Sequence, residues 1–105
     1  MSIEKLDDID HIALQVSSVE NAMKWYQERF KCEVAYQDDT WGMLKFGNIN
    51  LAFVIPEEHP AHIGFRVAED KIPGKVSERR DGERTTYSKD AEGNIIEWLA
   101  PLEGK

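Results

Sequence analysis

The feature that most constrains this chain is that it reads nearly the same way twice. The stretch HIALQV at 11–16 returns as HIGFRV at 62–67: His, Ile, a small residue, a large apolar one, a polar one, Val. The turn Gly47-Asn48-Ile49 returns as Gly93-Asn94-Ile95. The spacings are 51 and 46 residues, each near half of a 105-residue chain. A self-match at half length predicts two copies of one supersecondary unit. The expected organisation is a single domain over 1–105, with module one over about 7–56 and module two over about 61–101.

Within module one, DIDHIALQV at 8–16 alternates and predicts a strand. Ser17 then offers a helix N-cap, with Glu20 three residues on as a capping-box partner. Val19, Ala22, Met23, Tyr26 and Phe30 fall at helical steps and predict one buried face. CEVAYQ, WGMLKF and INLAFVI are expected strands, and PEEHP at 56–60 is a connector. Module two repeats this order in shortened form. Pro73 and Gly74 break AEDKIPGKVSERRDGE, so a short or irregular helix is expected there, with one strand compressed or missing. RTTYSK and NIIEWLA close the sheet.

Charge narrows the partners. The 13 basic and 20 acidic residues give a net charge of -7. Nucleic acid and anionic membrane surfaces both need a cationic footprint, so neither is expected. The run ERR at 78–80 is flanked by acids and reads as a solvated turn. No apolar run has the length that spans a bilayer. MSIEKLDDID carries no apolar leader segment, and a cytoplasmic location is expected. Cys32 is the only cysteine, which excludes an internal disulfide and leaves it a packing role.

The chemistry sits on the less apolar faces of the repeated strands. Alternation places Ile12, Leu14 and Val16 on one face, suited to lying under a helix, and His11, Ala13 and Gln15 on the other. Ile63, Phe65 and Val67 divide in the same way from His62, Gly64 and Arg66. In the last strand Glu97 shares a face with Ile95 and Leu99. A carboxylate among such residues is costly to bury, so Glu97 either meets water or meets a cation. Each His alone reads as an ordinary hydrogen-bonded core residue. Together, with the two histidines opening equivalent strands of a repeat, His11, His62 and Glu97 form a donor set for a divalent metal with open positions. His59, in a proline-flanked loop, is a spare. Arg66 is a candidate for binding a substrate anion and Tyr87 for donating to a substrate oxygen, against ordinary ion-pair and core roles. Trp41 and Met43 belong to the pocket wall or to the core.

The element order, with DHIAL, AHIGF and DAEGNIIEW, resembles the vicinal oxygen chelate superfamily, also called glyoxalase/bleomycin resistance/dioxygenase. The resemblance covers nearly the whole chain. It implies an α+β fold of paired βαβββ modules forming an open, curled mixed sheet around a divalent ion (Zn, Fe, Mn, Ni or Co), held by His11, His62 and Glu97. It implies a metal-dependent lyase, isomerase or oxygenase that chelates neighbouring oxygens of a small substrate, and a homodimer. The alternatives are a metal-free ligand-binding protein of the bleomycin-resistance type and a protein whose metal is structural only. Aligning the two Gly-Asn turns sets Leu51 opposite Glu97, where glyoxalase I has a glutamate that also moves the proton. That departure argues against glyoxalase I activity.

Overall fold

The computed structural model describes residues 6–74, 77–78 and 84–100. Module one runs β1 (Asp8–Gln15), α1 (Val19–Arg29), β2 (Glu33–Gln37), β3 (Trp41–Lys45) and β4 (Asn50–Val54). Module two runs β5 (His62–Arg66), a 3-10 turn (Glu69–Lys71), β6 (Ser77–Glu78), β7 (Arg84–Lys89) and β8 (Ile95–Ala100). The expected helix of module two is reduced to that turn, with Pro73 and Gly74 just beyond it. Proline lacks the N–H that would carry the helix on. The expected solvated turn at 78–80 falls largely outside the described residues.

Among the described residues, eight strands form one mixed sheet in the order β2-β3-β4-β1-β5-β8-β7-β6. Each module pairs its first strand in parallel with its last, β1 with β4 and β5 with β8. The modules join where β1 and β5 pair antiparallel. This is the paired βαβββ architecture expected from the repeat.

Helix α1 starts one residue later than the capping box predicts. Ser18, not Ser17, is the extended N-cap residue, and its Oγ accepts from the Asn21 amide at 3.1 Å. Phe30 falls at the C-cap and is half-exposed. Val19 and Met23 pack on Leu44 and Phe53, and Tyr26 stacks over Phe53 at 5.1 Å. Gly42 permits this approach, because a Cβ there would meet the Met23 sulfur at 2.9 Å.

One expectation is reversed. The apolar face of β1 and β5 does not lie under a helix: Ile12, Leu14 and Ile63 are 37%, 39% and 37% exposed. Helix α1 lies mainly against β3 and β4 and reaches β2. The sheet instead buries its other face. Ala13, Trp41, Met43, Ala52 and Val54 form a second cluster there, with Tyr36 stacked on Trp41 at 4.3 Å.

Candidate metal centre

The buried face carries a row of residues in register across five strands: Asn50, His11, Gly64, Glu97 and Tyr87. His11 on β1 and Glu97 on β8 have β5 between them. Two strand spacings are roughly 9.5 Å, so the side chains meet only by crossing β5. Gly64 makes the crossing possible. The His11 ring lies over it so closely that a Cβ would come within 2.3 Å of Cε1. His62, two residues before Gly64 on the same strand face, approaches the same point from the side.

His11 Nε2, His62 Nε2 and Glu97 Oε1 form a triangle with edges of 3.2, 3.0 and 3.1 Å. The three residues are 1%, 7% and 0% exposed, so water does not answer the Glu97 carboxylate. The outer atoms are all held. His62 Nδ1 lies 2.8 Å from the Pro60 carbonyl. His11 Nδ1 lies 2.8 Å from Asp10 Oδ2. Thr85 Oγ1 donates to Glu97 Oε2 at 2.6 Å. Asp10 in turn accepts from Arg66 Nη2 at 2.7 Å.

These outer partners decide what the triangle is. A carbonyl accepts only, so His62 Nδ1 carries its proton and Nε2 offers a lone pair. Burial opposes ionisation of Asp10, but bonds to His11 and Arg66 and the guanidinium charge outweigh it and hold the carboxyl at about 2. An ionised Asp10 likewise puts the His11 proton on Nδ1. Three electron-rich atoms then converge at about 3 Å, a repulsive arrangement unless a proton or a metal ion sits among them. Burial pushes the His11 imidazole down, while Asp10 and Glu97 outweigh this and raise it. A divalent ion fits as well. Donors bound at about 2.0–2.1 Å stand about 2.9 Å apart at right angles and about 3.4 Å apart at tetrahedral angles. The observed edges fall between these limits. Both imidazoles are borderline-soft nitrogen donors with fixed tautomers, as metal-binding histidines usually have.

The other candidates are distributed around this point. Tyr87 pairs with Glu97 across β7–β8, and its ring meets His62 edge-on at 5.2 Å. His59 stacks on Tyr87 at 5.9 Å and stands beyond the triangle. Arg66 is drawn to Asp10. Trp41 and Met43 are buried in the neighbouring apolar cluster. Cys32 packs beside the helix core.

The sheet register corrects one alignment. Ala13 pairs with Ala52 as Gly64 pairs with Glu97, so Ala52 occupies the counterpart of Glu97 in module one. Leu51 faces the helix. Module one holds one more residue between its Gly-Asn turn and this row, which the turn alignment could not show. Ala52 offers neither a ligand nor a base.

Asp10, Thr85, the Pro60 carbonyl and the role of Gly64 were not anticipated from sequence. Thr85 shares its strand face with Tyr87 and could have been found by alternation. Asp10 could not, because alternation sends neighbouring residues to opposite faces.

No family model and no curated protein matches the sequence. Solved structures do match in fold. A hypothetical protein, BH1468 from Bacillus halodurans C-125, superposes with a TM-score of 0.76 at 18% identity, over 96% of this chain and 99% of that one. Methylmalonyl-CoA epimerase from Mycobacterium tuberculosis gives 0.72 at 15%, over 97% and 93%. A Streptomyces coelicolor methylmalonyl-CoA epimerase variant in complex with 2-nitronate-propionyl-CoA gives 0.73 at 19%, over 93% and 99%. The likeness spans essentially the whole of each chain and is a likeness of fold.

Proposed function

We propose that this protein is a small metal-dependent enzyme of the vicinal oxygen chelate type, which holds one divalent ion on His11, His62 and Glu97. The observation that carries this reading is the convergence of two imidazole nitrogens and a carboxylate oxygen, all buried, within 3.2 Å of one another. The bound ion would supply Lewis-acid stabilisation of negative charge developing on two neighbouring oxygens of a small substrate. The chain's own residues do the rest. Asp10, the Pro60 carbonyl and Thr85 hold the three donors in place. Tyr87, whose ring meets His62, would donate a hydrogen bond to a substrate oxygen. Arg66 keeps Asp10 ionised, and its guanidinium charge would attract a substrate anion.

The reaction class is lyase, isomerase or oxygenase. Alanine at position 52 argues against glyoxalase I chemistry, which needs a base there. The epimerases of like fold make isomerisation next to a thioester or carboxylate the first chemistry to assay. In this reading the chain acts in the cytoplasm as one domain and as a homodimer. Among the described residues no helix is long and apolar enough to cross a membrane.

Metal analysis tests the reading. Protein loaded with Zn²⁺, Mn²⁺ or Co²⁺ and then dialysed should retain about one ion per chain. H11A and E97A should retain none. Equal metal content in wild type and H11A would sink the proposal, and no retained ion in either would leave a metal-free binding protein of the bleomycin-resistance type.

A further inference from the structure

We propose that Asp10 is a positioning residue for His11, turned onto the site by a β-bulge and held there by Arg66. The proposal rests on the metal reading above. In a regular strand residues 10 and 11 would point to opposite faces. Here the pairing of β1 with β5 slips: Ile9 faces Phe65, His11 faces Gly64, and Asp10 is the extra residue between them. A bulge sets two residues of one strand against one of its neighbour and re-aims a side chain. The slip brings the Asp10 carboxylate to the same side as the imidazole beside it.

Both carboxylate oxygens are then engaged. Oδ2 accepts from His11 Nδ1 at 2.8 Å, and Oδ1 accepts from Arg66 Nη2 at 2.7 Å. The first bond fixes the tautomer, leaving the Nε2 lone pair to bind the ion that Glu97 and His62 would share. It also fixes the ring, which must lie flat over Gly64 to cross β5. The second bond stops the carboxylate from swinging away. His62 has the same arrangement from a main-chain carbonyl, which no side-chain substitution removes. Asp10 is thus the tautomer lock that the side chains supply, and it carries a charge that the carbonyl lacks. Such outer partners commonly contribute a factor of ten to a hundred in metal affinity.

The test uses the full chain, with Zn²⁺ as the probe in competition with a chromogenic chelator. It adds ¹⁵N shifts of His11 in metal-free protein. D10A should weaken Zn²⁺ binding by about 10- to 100-fold and release the Nδ1–H tautomer. D10N, nearly isosteric and still able to accept, should fall between D10A and wild type; it carries the test if D10A does not fold. R66Q leaves the His11 bond in place and should cost less than about tenfold. Wild-type affinity together with an unchanged tautomer in D10A and D10N would overturn the proposal. So would equal losses in D10A and R66Q with the tautomer unchanged, since Asp10 would then be only an ion-pair partner. Failure of the metal reading looks different: wild type and H11A would bind Zn²⁺ alike. The tautomer measurement needs no metal and decides the role of Asp10 in either case.

Discussion

Gly64 shows how much of the site depends on one missing side chain. The His11 ring occupies the space that a Cβ would fill, with Cε1, Nδ1 and Nε2 at 2.3, 2.7 and 2.8 Å from it. The obstacle is a ring held from behind by Asp10, not the free end of a flexible chain. G64A should therefore displace His11 and break the triangle. Overpacking of this kind costs about 1–3 kcal/mol, and metal retention should be lost with it. Urea unfolding and metal content together check the prediction; a G64A protein that keeps its metal would show that the ring can cross β5 by another route. At this scale the sequence was informative about identity and weak on geometry. His11 and His62 were legible because a repeat marks equivalent positions, Glu97 because a carboxylate in an apolar strand needs a cation, and the three do lie together. The small residue after each His was visible as a pattern, but not as the gap through which a ring passes. Asp10 was invisible, because a bulge is a local failure of the alternation on which the reading depends. Ala52 was missed by one place for a similar reason: an extra residue in one module shifts its register.

Elements were easier to read than residues where their own chemistry decides them. The RTTYSK strand is found at Arg84–Lys89 as expected, and most other strand ends move by one residue. The helix of module two failed in a legible way, since Pro73 forbids what the repeat asks for. The covered face of β1 was misread because the sequence shows which face is apolar, not where a helix will lie. One turn makes a test at this scale. Asp38 joins β2 to β3, accepting from the Tyr36 hydroxyl, the Thr40 amide and hydroxyl, and the Trp41 amide. Burial opposes its ionisation, but these donors outweigh it and hold the carboxyl below its ordinary 3.8. The sign follows from that direction. A folded pKa below the unfolded one gives stability that is present above about pH 4 and lost as pH falls toward the folded value. D38N should thus cost about 1 kcal/mol near pH 7, allowing for the partial exposure of the turn. The gap between wild type and variant should begin to narrow below about pH 4 and go on narrowing as pH falls toward the folded value. Parallel urea midpoints across that range would show that Asp38 is not ionised in the way described.

The whole molecule separates two surfaces, and they should respond to different conditions. On the buried face His11 Nε2, His62 Nε2 and Glu97 Oε1 converge, and a divalent ion among them would offset their mutual repulsion. An ion bound there and not by the unfolded chain stabilises by about 2.7 kcal/mol at a hundred times its Kd. For a domain of this size that is a rise in Tm of roughly 10–20 °C. Zn²⁺ against EDTA in differential scanning calorimetry should show it, and E97A should abolish it. On the opposite face the apolar side chains of β1 and β5 face outward: Ile9, Ile12, Leu14 and Ile63. Charge works against pairing through this face, since each chain carries -7. Screening should therefore strengthen association, unlike an interface built on ion pairs. Light scattering is expected to give twice the 12.1 kDa chain mass, more completely at 0.5 M salt than at 0.02 M. I12K should shift the mass to that of one chain, because a buried lysine on a shared apolar face has no partner. The metal centre lies across the sheet from this face, so EDTA should lower the melting temperature and leave the mass unchanged. A chain-length mass at every salt concentration would refute the dimer and leave the metal reading intact.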